Sequence, residues 1–465
     1  MLLLAPAAQA RERGLSRLER DTREHLKAMV PLDTTNPPGN EIIVARYIDG
    51  KLRDAGIESE IYTSSGTRSS VIARLRGSGA KPPLVLMCHT DVVPADPKEW
   101  ETPPFEAVEK DGYLYGRGTT DNKSMCAAGL AVLVSLKREG VKLSRDLVLF
   151  AQADEESGAS YRHIDWLLAK HGDLLNAKFA LNEGGNTVWE NGKVAEIRIQ
   201  AAEKEFMDVV LTARGRAGHS SVPRSDNALA TLSRAVTRVF EHRFAARLDE
   251  VVRTFLQRQQ EGAEPELRGA IAEALAVDGQ EDLDRAADRL AAVNPEFGAM
   301  LRDTITPTML KAGYKSNVIP AEAEATLNAR LLPGRDPEEF IAELKAVIDE
   351  PAIEVSFVAP AGPPVGAMPI DTTLYQAARD AAAELAPGAR VMPFMAAWTT
   401  DAKSLRQRGT IVYGIEPPLS ADDGERVHGK NERISLAALD WYARYLKAVV
   451  LRVAALDGSA KGNAR

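Results

Sequence analysis

Short runs of consecutive apolar residues alternate with segments of helical periodicity along the N-terminal part of the chain. Runs at 84–88, 147–151 and 179–181 are typical of strands that are buried on both faces. Segments such as 42–55 and 124–136 carry the apolar spacing of helices. Strands that alternate with helices predict an α/β domain whose central sheet is mainly parallel.

The pattern of apolar and polar residues changes at about residue 204. Residues 206–212 alternate between apolar and polar side chains, as in a half-exposed strand, and strand patterns return at 308–312 and 323–331. The stretch from about 241 to 303 is highly charged and rich in Ala and Leu at helical spacing. These patterns predict an α+β domain, with a helical insertion, that is itself inserted into the first domain.

The chain is thereby divided into a first domain in two parts, an inserted domain and a short tail. The link at 360–366 is rich in Pro and Gly, which favours a return to the first domain at this point. The expected segments are 11–203 and 361–457 for the first domain, 204–360 for the inserted domain with its helical insertion at about 241–303, and 458–465 for a disordered tail.

Composition and charge restrict the classes of partner. The chain has 465 residues, enough for two or three domains, with 45% hydrophobic and 27% charged residues. Its net charge of −8 argues against a nucleic-acid partner, and no apolar stretch is long enough to span a membrane. Cys88 and Cys126 lie in apolar stretches, so we interpret them as small buried side chains and not as a disulfide framework.

Residues 1–10 end in Ala8-Gln9-Ala10, which matches the pattern of a signal-peptidase site. No basic segment precedes this pattern and the apolar core is short, so a frayed apolar N-terminus is the alternative. We expect these residues to be the remnant of a signal peptide on an exported protein; without export, the protein would be cytoplasmic.

Polar residues with the chemistry of metal ligands follow the predicted strands. His89 comes directly after the run at 84–88, and ligands in such sheets bind beyond the carboxyl ends of the strands. Asp91 can accept the second ring N–H of His89 and orient the imidazole. A polar turn that closes a core strand explains the same two residues equally well, so the other strand ends decide between these interpretations.

The other strand ends and loops supply more residues of the same kind. Two imidazoles and four carboxylates at one edge of a sheet are costly to bury unless they are paired or bind a metal. Nitrogen and oxygen ligands without a thiolate suit zinc, with cobalt or manganese as substitutes. The complete set consists of His89, Asp121, Glu155, Glu156, Glu183 and His428.

These residue types fit a site for two metal ions. One ion would be held by His89 and Glu183. The other would be held by Glu156 and His428, and the two oxygens of Asp121 would bridge both ions.

Glu155 is left without a metal in this assignment. A side chain at a strand-end turn can still reach the same cavity, so Glu155 is positioned to take a proton from the attacking water. Two cations about 3.5–4 Å apart lower the pKa of a water molecule and polarise a carbonyl group. A carboxylate within hydrogen-bond reach then completes general-base hydrolysis.

With these motifs in place, the chain resembles the co-catalytic di-zinc exopeptidases and amidohydrolases. This family includes bacterial glutamate carboxypeptidase, acetylornithine deacetylase, succinyl-diaminopimelate desuccinylase and aminoacylase. The resemblance extends from about residue 11 to residue 456. It rests on five motifs in the family's order, which are His89-Thr90-Asp91-Val92-Val93-Pro94, Tyr115-Gly116-Arg117-Gly118 leading to Asp121-Asn122-Lys123, Asp154-Glu155-Glu156, Asn182-Glu183-Gly184-Gly185 and His428-Gly429.

The resemblance implies a zinc-exopeptidase-like catalytic domain and an inserted α+β lid domain that often mediates dimerisation. It implies two zinc ions per subunit, with Glu155 as the general base and Asp91 as the partner of His89. The ligands that it implies are His89, Asp121, Glu156, Glu183 and His428.

Three residues of the inserted domain gain a role only through the resemblance. His219 stands where relatives have a lid histidine that stabilises the tetrahedral oxyanion. Asn317 and Arg330 stand where relatives hold the free carboxylate of the substrate, a group that the arginine fork matches. Without the resemblance, His219 would as readily be an ordinary turn residue, and Arg330 an exposed charge.

The finer resemblance is to vacuolar-type carboxypeptidases and N-fatty-acyl-amino-acid hydrolases, because of Glu183, Asp121-Asn122-Lys123 and the long helical insertion. That insertion departs from the compact lid of the small deacylases, so a homodimer through the lid stays an open alternative. We expect a metallopeptidase of carboxypeptidase type that cleaves a peptide or N-acyl amide bond next to a free carboxylate. An N-acyl-amino-acid amidohydrolase is the alternative, and a non-catalytic binding protein on the same fold is a more remote one.

Overall fold

The computed structural model of the chain describes residues 14–157, 162–358 and 362–456. The expected signal-peptide remnant at 1–10 and the expected tail at 458–465 lie outside the described residues. None of the described helices combines the length and the apolar character needed to cross a membrane.

The helices, in chain order, are α1 Arg17–Met29, α2 Ile42–Asp54, α3 Lys123–Glu139, α4 His163–His171, α5 Ala228–Glu241, α6 Glu250–Gln260, α7 Pro265–Ala276, α8 Gln280–Val293, α9 Pro295–Ala299, α10 Pro337–Ile348, α11 Thr373–Leu385, α12 Ala402–Arg406, α13 Ala421–Gly424 and α14 Leu436–Ala454. Short 3-10 helices lie at Pro97–Glu99 and Gly172–Leu175.

The strands are β1 Glu58–Ser65, β2 Arg68–Leu75, β3 Leu84–His89, β4 Val108–Lys110, β5 Tyr113–Tyr115, β6 Leu147–Gln152, β7 Phe179–Asn182, β8 Val188–Glu190, β9 Lys193–Glu203, β10 Glu205–Arg214, β11 Gly218–His219, β12 Thr304–Ala312, β13 Val318–Ile319, β14 Glu322–Leu331, β15 Ile353–Phe357, β16 Arg390–Ala396, β17 Ile411–Gly414 and β18 Arg433–Ser435.

The largest sheet has nine strands, in the order β1-β2-β6-β3-β7-β17-β9-β16, with β8 paired to β9. Its central strands β6, β3, β7 and β17 are parallel neighbours. The outer pairs β1–β2 and β2–β6 are antiparallel, as is the pairing of β17 with β9. The expected α/β class with a mainly parallel central sheet is therefore confirmed.

Burial on both faces explains the apolar runs in the central strands. Every residue of β3 and β6 is buried. On one face, Val85 and Phe150 belong to a core that includes residues of α4 and α12. On the other face α3 packs closely, because a Cβ added at Gly129 would lie only 2.9 Å from the side chain of Leu149. The parallel strands thus end together at one sheet edge, where the polar residues follow.

The described residues divide into two compact units. The first takes its residues from 1–201, 368–393 and 400–465, and the second from 202–367 and 394–399. In the second unit, the antiparallel sheet β12-β14-β10-β15 shares a hydrophobic core with α5 and α10. Helices α6 to α9 lie in the charged stretch for which helices were expected.

The interpretation of the two cysteines as unpaired is wrong. Cys88 and Cys126 are buried as expected, at 1% and 0% exposure. Their sulfur atoms are nevertheless joined in a disulfide, with the Cα atoms 5.3 Å apart. The physical reason is that Cys88 faces α3 from the end of β3 and meets Cys126 in the first turn of that helix, an encounter between distant segments that an apolar sequence context does not reveal.

Candidate metal centre

The end of β3 brings His89 to a polar cluster at the sheet edge. The residue is 1% exposed. Its Nδ1 lies 3.1 Å from the main-chain oxygen of Asp91. Its Nε2 faces Asp121 Oδ1 at 2.8 Å and Glu183 Oε2 at 3.2 Å. An imidazole that donates from Nδ1 presents the Nε2 lone pair for metal binding.

Asp121 lies at the centre of the cluster, in the loop between β5 and α3. Oδ1 contacts His89, while Oδ2 lies 3.1 Å from His428 Nε2. A carboxylate that directs one oxygen to each of two imidazoles has the arrangement required of a bridging ligand.

Glu156 and His428 form the side of the cluster nearest to solvent. His428 Nε2 lies 3.1 Å from Glu156 Oε1. The side chain of His428 is 54% exposed and that of Glu156 is 7% exposed. The cluster therefore has a closed end at His89 and an open end at His428, through which a substrate could enter.

Among the residues that the structure describes, three groups of ligand atoms lie close enough together to hold a metal ion. The atoms within each group are all within 4.8 Å of one another, and the groups are His89 with Asp121 and Glu183, Asp121 with Glu156 and His428, and His89 with Glu155 and Glu156. The first two groups share Asp121 and match the two ions expected from the sequence. Ligand atoms bound tetrahedrally to zinc lie about 3.3 Å from one another, close to the observed contacts of 2.8–3.2 Å. The donor set therefore fits a pair of small divalent cations.

The electrostatics of the cluster also favour cations. Burial, followed by the charge of Glu183, raises the pKa of Glu155 well above its usual value. Burial also raises the pKa of Glu183. Hydrogen bonds to Asp121 and Glu156 raise the pKa of His428 to about 10. Because metals bind deprotonated ligands, a cation at this position would replace the proton that these carboxylates otherwise keep on His428.

Glu155 lies beside the cluster, with a carboxylate oxygen within 4.8 Å of a nitrogen of His89 and an oxygen of Glu156. The preceding residue, Asp154, has a φ of 74°. This left-handed turn lets two consecutive glutamates reach the same cluster. Glu155 thus lies beside the cluster without belonging to either group that contains Asp121.

Asp91 stabilises both His89 and this turn. Its contact with His89 Nδ1 is shared between the main-chain oxygen at 3.1 Å and Oδ1 at 3.5 Å. Its carboxylate accepts the main-chain N–H of Glu155 at 3.2 Å and of Glu156 at 2.9 Å. Asp91 therefore fixes the position of one imidazole and of both glutamates.

Sequence reasoning missed a polar network below this turn. The guanidinium of Arg68 contacts the carboxylate of Asp154 and lies 3.1 Å from Glu41 Oε1. It also donates to Asn36 Oδ1 at 2.7 Å, and Asn36 donates to Asp91 Oδ2 at 2.8 Å. Asn36 lies in a loop of Pro, Thr and Asn residues that the sequence marks only as a turn, so no signal pointed to this role.

Glu432, also missed, supports Asp121 from another side. It is completely buried. One oxygen accepts the N–H groups of Thr120 at 2.7 Å and Asp121 at 3.1 Å. The other accepts the N–H of Gly118 at 3.0 Å and Nη1 of Arg117 at 2.7 Å. Four donors on one carboxylate fix the loop that carries Asp121. The sequence shows only a glutamate directly before β18, and a single glutamate does not by itself indicate this role.

His219 and Asn317 lie in the second unit, as neighbours. His219 in β11 pairs with Val318 in β13. The N–H of Ser220 donates to the main-chain oxygen of Asn317 at 3.1 Å. The imidazole Nδ1 of His219 lies 2.7 Å from Ser221 Oγ, and the side chain is exposed. Two of the three residues expected to contact substrate therefore lie in or directly beside one short two-stranded ribbon.

Arg330 lies in β14 of the same unit, with its side chain half-buried. Its Nε donates to Asn328 Oδ1 at 3.1 Å, and the guanidinium carbon lies 4.9 Å from the centre of the Phe206 ring. Burial lowers the pKa of Arg330. A half-buried guanidinium that lies over an aromatic ring is a suitable receptor for a carboxylate.

Comparisons with known proteins identify the family and the fold of the chain. The model of peptidase family M20/M25/M40 matches residues 85–452 of the chain. The chain is 29% identical to human (Homo sapiens) N-fatty-acyl-amino acid synthase/hydrolase PM20D1, over 78% of the chain and 72% of that protein. It is 26% identical to the probable carboxypeptidase S-like 2 of Dictyostelium discoideum, over 78% of the chain and 71% of that protein. The fold is similar to that of an M20 family metallo-carboxypeptidase from Sulfolobus solfataricus, with a TM-score of 0.68, 20% identity, and coverage of 94% of this chain and 99% of that one.

Proposed function

This chain belongs to peptidase family M20/M25/M40, and from that premise we propose that it is a carboxypeptidase-type exopeptidase that uses two metal ions. As a family member it is a metal-dependent hydrolase of carbon–nitrogen bonds. The proposed substrates are small peptides or N-acyl amino acids with a free carboxylate beside the scissile amide. The proposed ions are zinc, with cobalt or manganese as substitutes.

The observation that carries the proposal is the position of Asp121 between two imidazoles. We assign His89 and Glu183 to one ion, Glu156 and His428 to the other, and Asp121 to both. When bound, the two cations lower the pKa of a water molecule and polarise the scissile carbonyl.

Glu155 is the general base in this proposal. Burial raises its pKa, as does the charge of Glu183, and a carboxylate with a raised pKa is a stronger proton acceptor. It takes a proton from the attacking water and returns it to the leaving nitrogen. His219 donates a hydrogen bond to the developing oxyanion.

Replacing Glu155 by Gln removes the proton acceptor and keeps the size of the side chain. We expect Glu155→Gln to retain two metal ions and its melting temperature, and to lose about 10³-fold in kcat, since general acid–base catalysis contributes roughly 10²–10⁴-fold. Elemental analysis and initial rates measure the two effects. Glu99→Gln, an exposed glutamate, is the control and should keep the wild-type rate. Full activity of the Glu155 variant would refute the assigned base.

The alternative of an N-acyl-amino-acid amidohydrolase uses the same chemistry. It is favoured by the similarity to a relative named for N-fatty-acyl amino acids. Both substrate classes present an amide next to a free carboxylate, which we assign to Arg330 and Asn317. Arg330 donates from its Nε to Asn328 Oδ1. We assign its two Nη groups to the bidentate contact that a carboxylate prefers.

Both hypotheses, carboxypeptidase and N-acyl-amino-acid amidohydrolase, can be tested with a panel of dipeptides and N-acyl amino acids. Each substrate is supplied as the free acid and as the C-terminal amide. We expect amidation to lower kcat/KM about 10- to 100-fold, because a hydrogen bond to a charged group contributes roughly 1.5–3 kcal/mol. Arg330→Met should lose most of this discrimination, whereas Arg243→Met, at an exposed arginine of the same unit, should keep it. Equal rates on acids and amides would show that the carboxylate role is wrong. Faster turnover of N-acyl amino acids than of every dipeptide would favour the alternative.

We also propose that the chain forms a homodimer through its second unit. Strand β12 lies at the edge of the four-stranded sheet, and its Met309 and Leu310 are 68% and 65% exposed. An exposed apolar edge strand is a template for pairing with another chain.

We propose that the protein is exported, because disulfides such as Cys88–Cys126 persist in oxidising compartments. Fractionation of the source cells would test this location.

A further inference from the structure

The disulfide between Cys88 and Cys126 joins the two elements that carry the central residues of the cluster. Cys88 immediately precedes His89 at the end of β3, and Cys126 lies in the first turns of α3, shortly after Asp121. We propose that this disulfide positions the metal ligands, so that the cluster reaches its full metal affinity only when the pair is oxidised. The inference rests on the metal assignment of the proposed function and concerns two residues that take no part in the chemistry.

The crosslink contacts a ligand directly on the strand side. Cys126 Sγ lies 3.3 Å from the main-chain oxygen of His89. Cys88 and Cys126 are 1% and 0% exposed, so the sulfurs are enclosed by packed side chains and main chain. Movement of either sulfur therefore changes the position of the peptide group from which the imidazole extends.

The helix side leads to two further ligands. Asn122, between Asp121 and the start of α3, donates from Nδ2 to Glu183 Oε2 at 2.9 Å. The N–H of Lys123 donates to the main-chain oxygen of Gly118 at 3.0 Å. A shift at the start of α3 therefore moves Asp121 and, through Asn122, the carboxylate of Glu183.

Reduction would put two separate thiols into a space that holds a bonded pair. A dithiol reductant supplies two electrons and two protons; the S–S bond breaks to give two S–H groups, and the reductant becomes a disulfide. The end of β3 and the start of α3 are then no longer joined by a covalent bond, and the same holds when both cysteines are replaced by alanine. The separation of His89 from Asp121 loses this constraint, so the ligand atoms are held less firmly in position.

Burial also determines when the bond can be exchanged. Thiol–disulfide exchange needs access for an attacking thiolate, and both sulfurs are enclosed in the folded chain. The bond should therefore form during folding and resist mild reductants afterwards, as expected of a positioning crosslink and not of a reversible switch.

The redox state is tested first. Wild-type protein folded under oxidising conditions is denatured and treated with iodoacetamide, before and after dithiothreitol, and its mass is measured. We expect no adducts before reduction and two after it. Two adducts without reductant would overturn the inference, because the pair would be unbonded in the folded protein.

Metal affinity is tested next, by competition with a zinc chelator at a temperature well below the melting point. We expect Cys88→Ala/Cys126→Ala to bind zinc about 10- to 100-fold more weakly than the oxidised wild type, the usual effect of removing a group that orients metal ligands. Leu130→Ala, in the buried face of α3, is the control; it should lower the melting temperature and leave the zinc affinity of the folded protein unchanged. Wild-type protein folded and kept under reducing conditions provides the same comparison without mutation, and should match the double variant.

Equal zinc affinity in the oxidised wild type and in both disulfide-free forms would overturn the inference and leave the proposed function intact. An equal loss of affinity in Leu130→Ala would also overturn it, because the effect would then follow general stability. Absence of zinc binding by the oxidised wild type would overturn the proposed function and this inference with it.

Discussion

At the scale of single residues, the ligand-bearing loops are held by carboxylates that accept main-chain hydrogen bonds. Asp91 receives the N–H groups of Glu155 and Glu156, and Glu432 receives those of the loop around Asp121. Such bonds fix a ligand in position before a metal arrives, so that less ordering has to accompany binding. The affinity of the cluster should therefore depend on residues that do not themselves contact a metal.

Glu432→Gln tests this dependence. The substitution keeps the shape of the side chain but replaces one acceptor oxygen by an NH₂ group, which must then face backbone N–H donors. We expect zinc affinity to fall about 10- to 100-fold and excess zinc to restore most of the activity. Chelator competition and activity against zinc concentration measure this.

Glu425→Gln, at an exposed glutamate nearby in sequence, is the matched control and should bind zinc as the wild type does. An unchanged zinc affinity in Glu432→Gln would contradict the positioning role.

Single residues also show which parts of the site can be predicted from the sequence and which cannot. His89 and Glu183 could be proposed because each lies at the end of a buried strand, and Asp121 because it lies in the loop that leads into α3. Arg68 and Glu432 could not, because an arginine at the start of a strand, or a glutamate directly before one, is ordinarily a solvated charge. Their partners lie far away in sequence, and only folding brings them together.

At the scale of elements, β12 is a sheet-edge strand with exposed apolar side chains. If its edge pairs with a second copy, lysines on it should prevent the pairing, as charges do on natural edge strands. We expect wild-type protein to be a dimer, and the double variant Met309→Lys/Leu310→Lys to be a folded monomer that still binds metal. Light scattering coupled to size-exclusion chromatography measures the mass.

Val222→Lys, at an exposed apolar residue outside β12, is the control and should remain a dimer. A monomeric wild type, or a double variant that stays dimeric, would show that β12 is not the interface.

Prediction of elements succeeded where periodicity was regular. The helices expected at 42–55 and 124–136 are Ile42–Asp54 and Lys123–Glu139 in the structure. Strand β16, Arg390–Ala396, was not expected, because Pro393 within it lacks the N–H that a strand uses for pairing. It lies at the end of the sheet order, where a missing donor is tolerated.

At the scale of the whole molecule, family membership and fold follow from the order of the motifs along the chain. The expected boundaries of the inserted domain, 204–360, stay a prediction. The second compact unit of the structure takes its residues from 202–367 and 394–399. The brief return of the chain to that unit at 394–399 had no signal in the sequence, because it is too short to carry a periodicity of its own.

The proposed chemistry depends on two metal ions that share Asp121 as a ligand. The most direct measurement is anomalous X-ray scattering from crystals of zinc-loaded protein, recorded on both sides of the zinc absorption edge. We expect two peaks in contact with Asp121, one also bound by His89 and Glu183 and the other by Glu156 and His428. A single peak, or peaks that lie away from Asp121, would contradict the two-metal site.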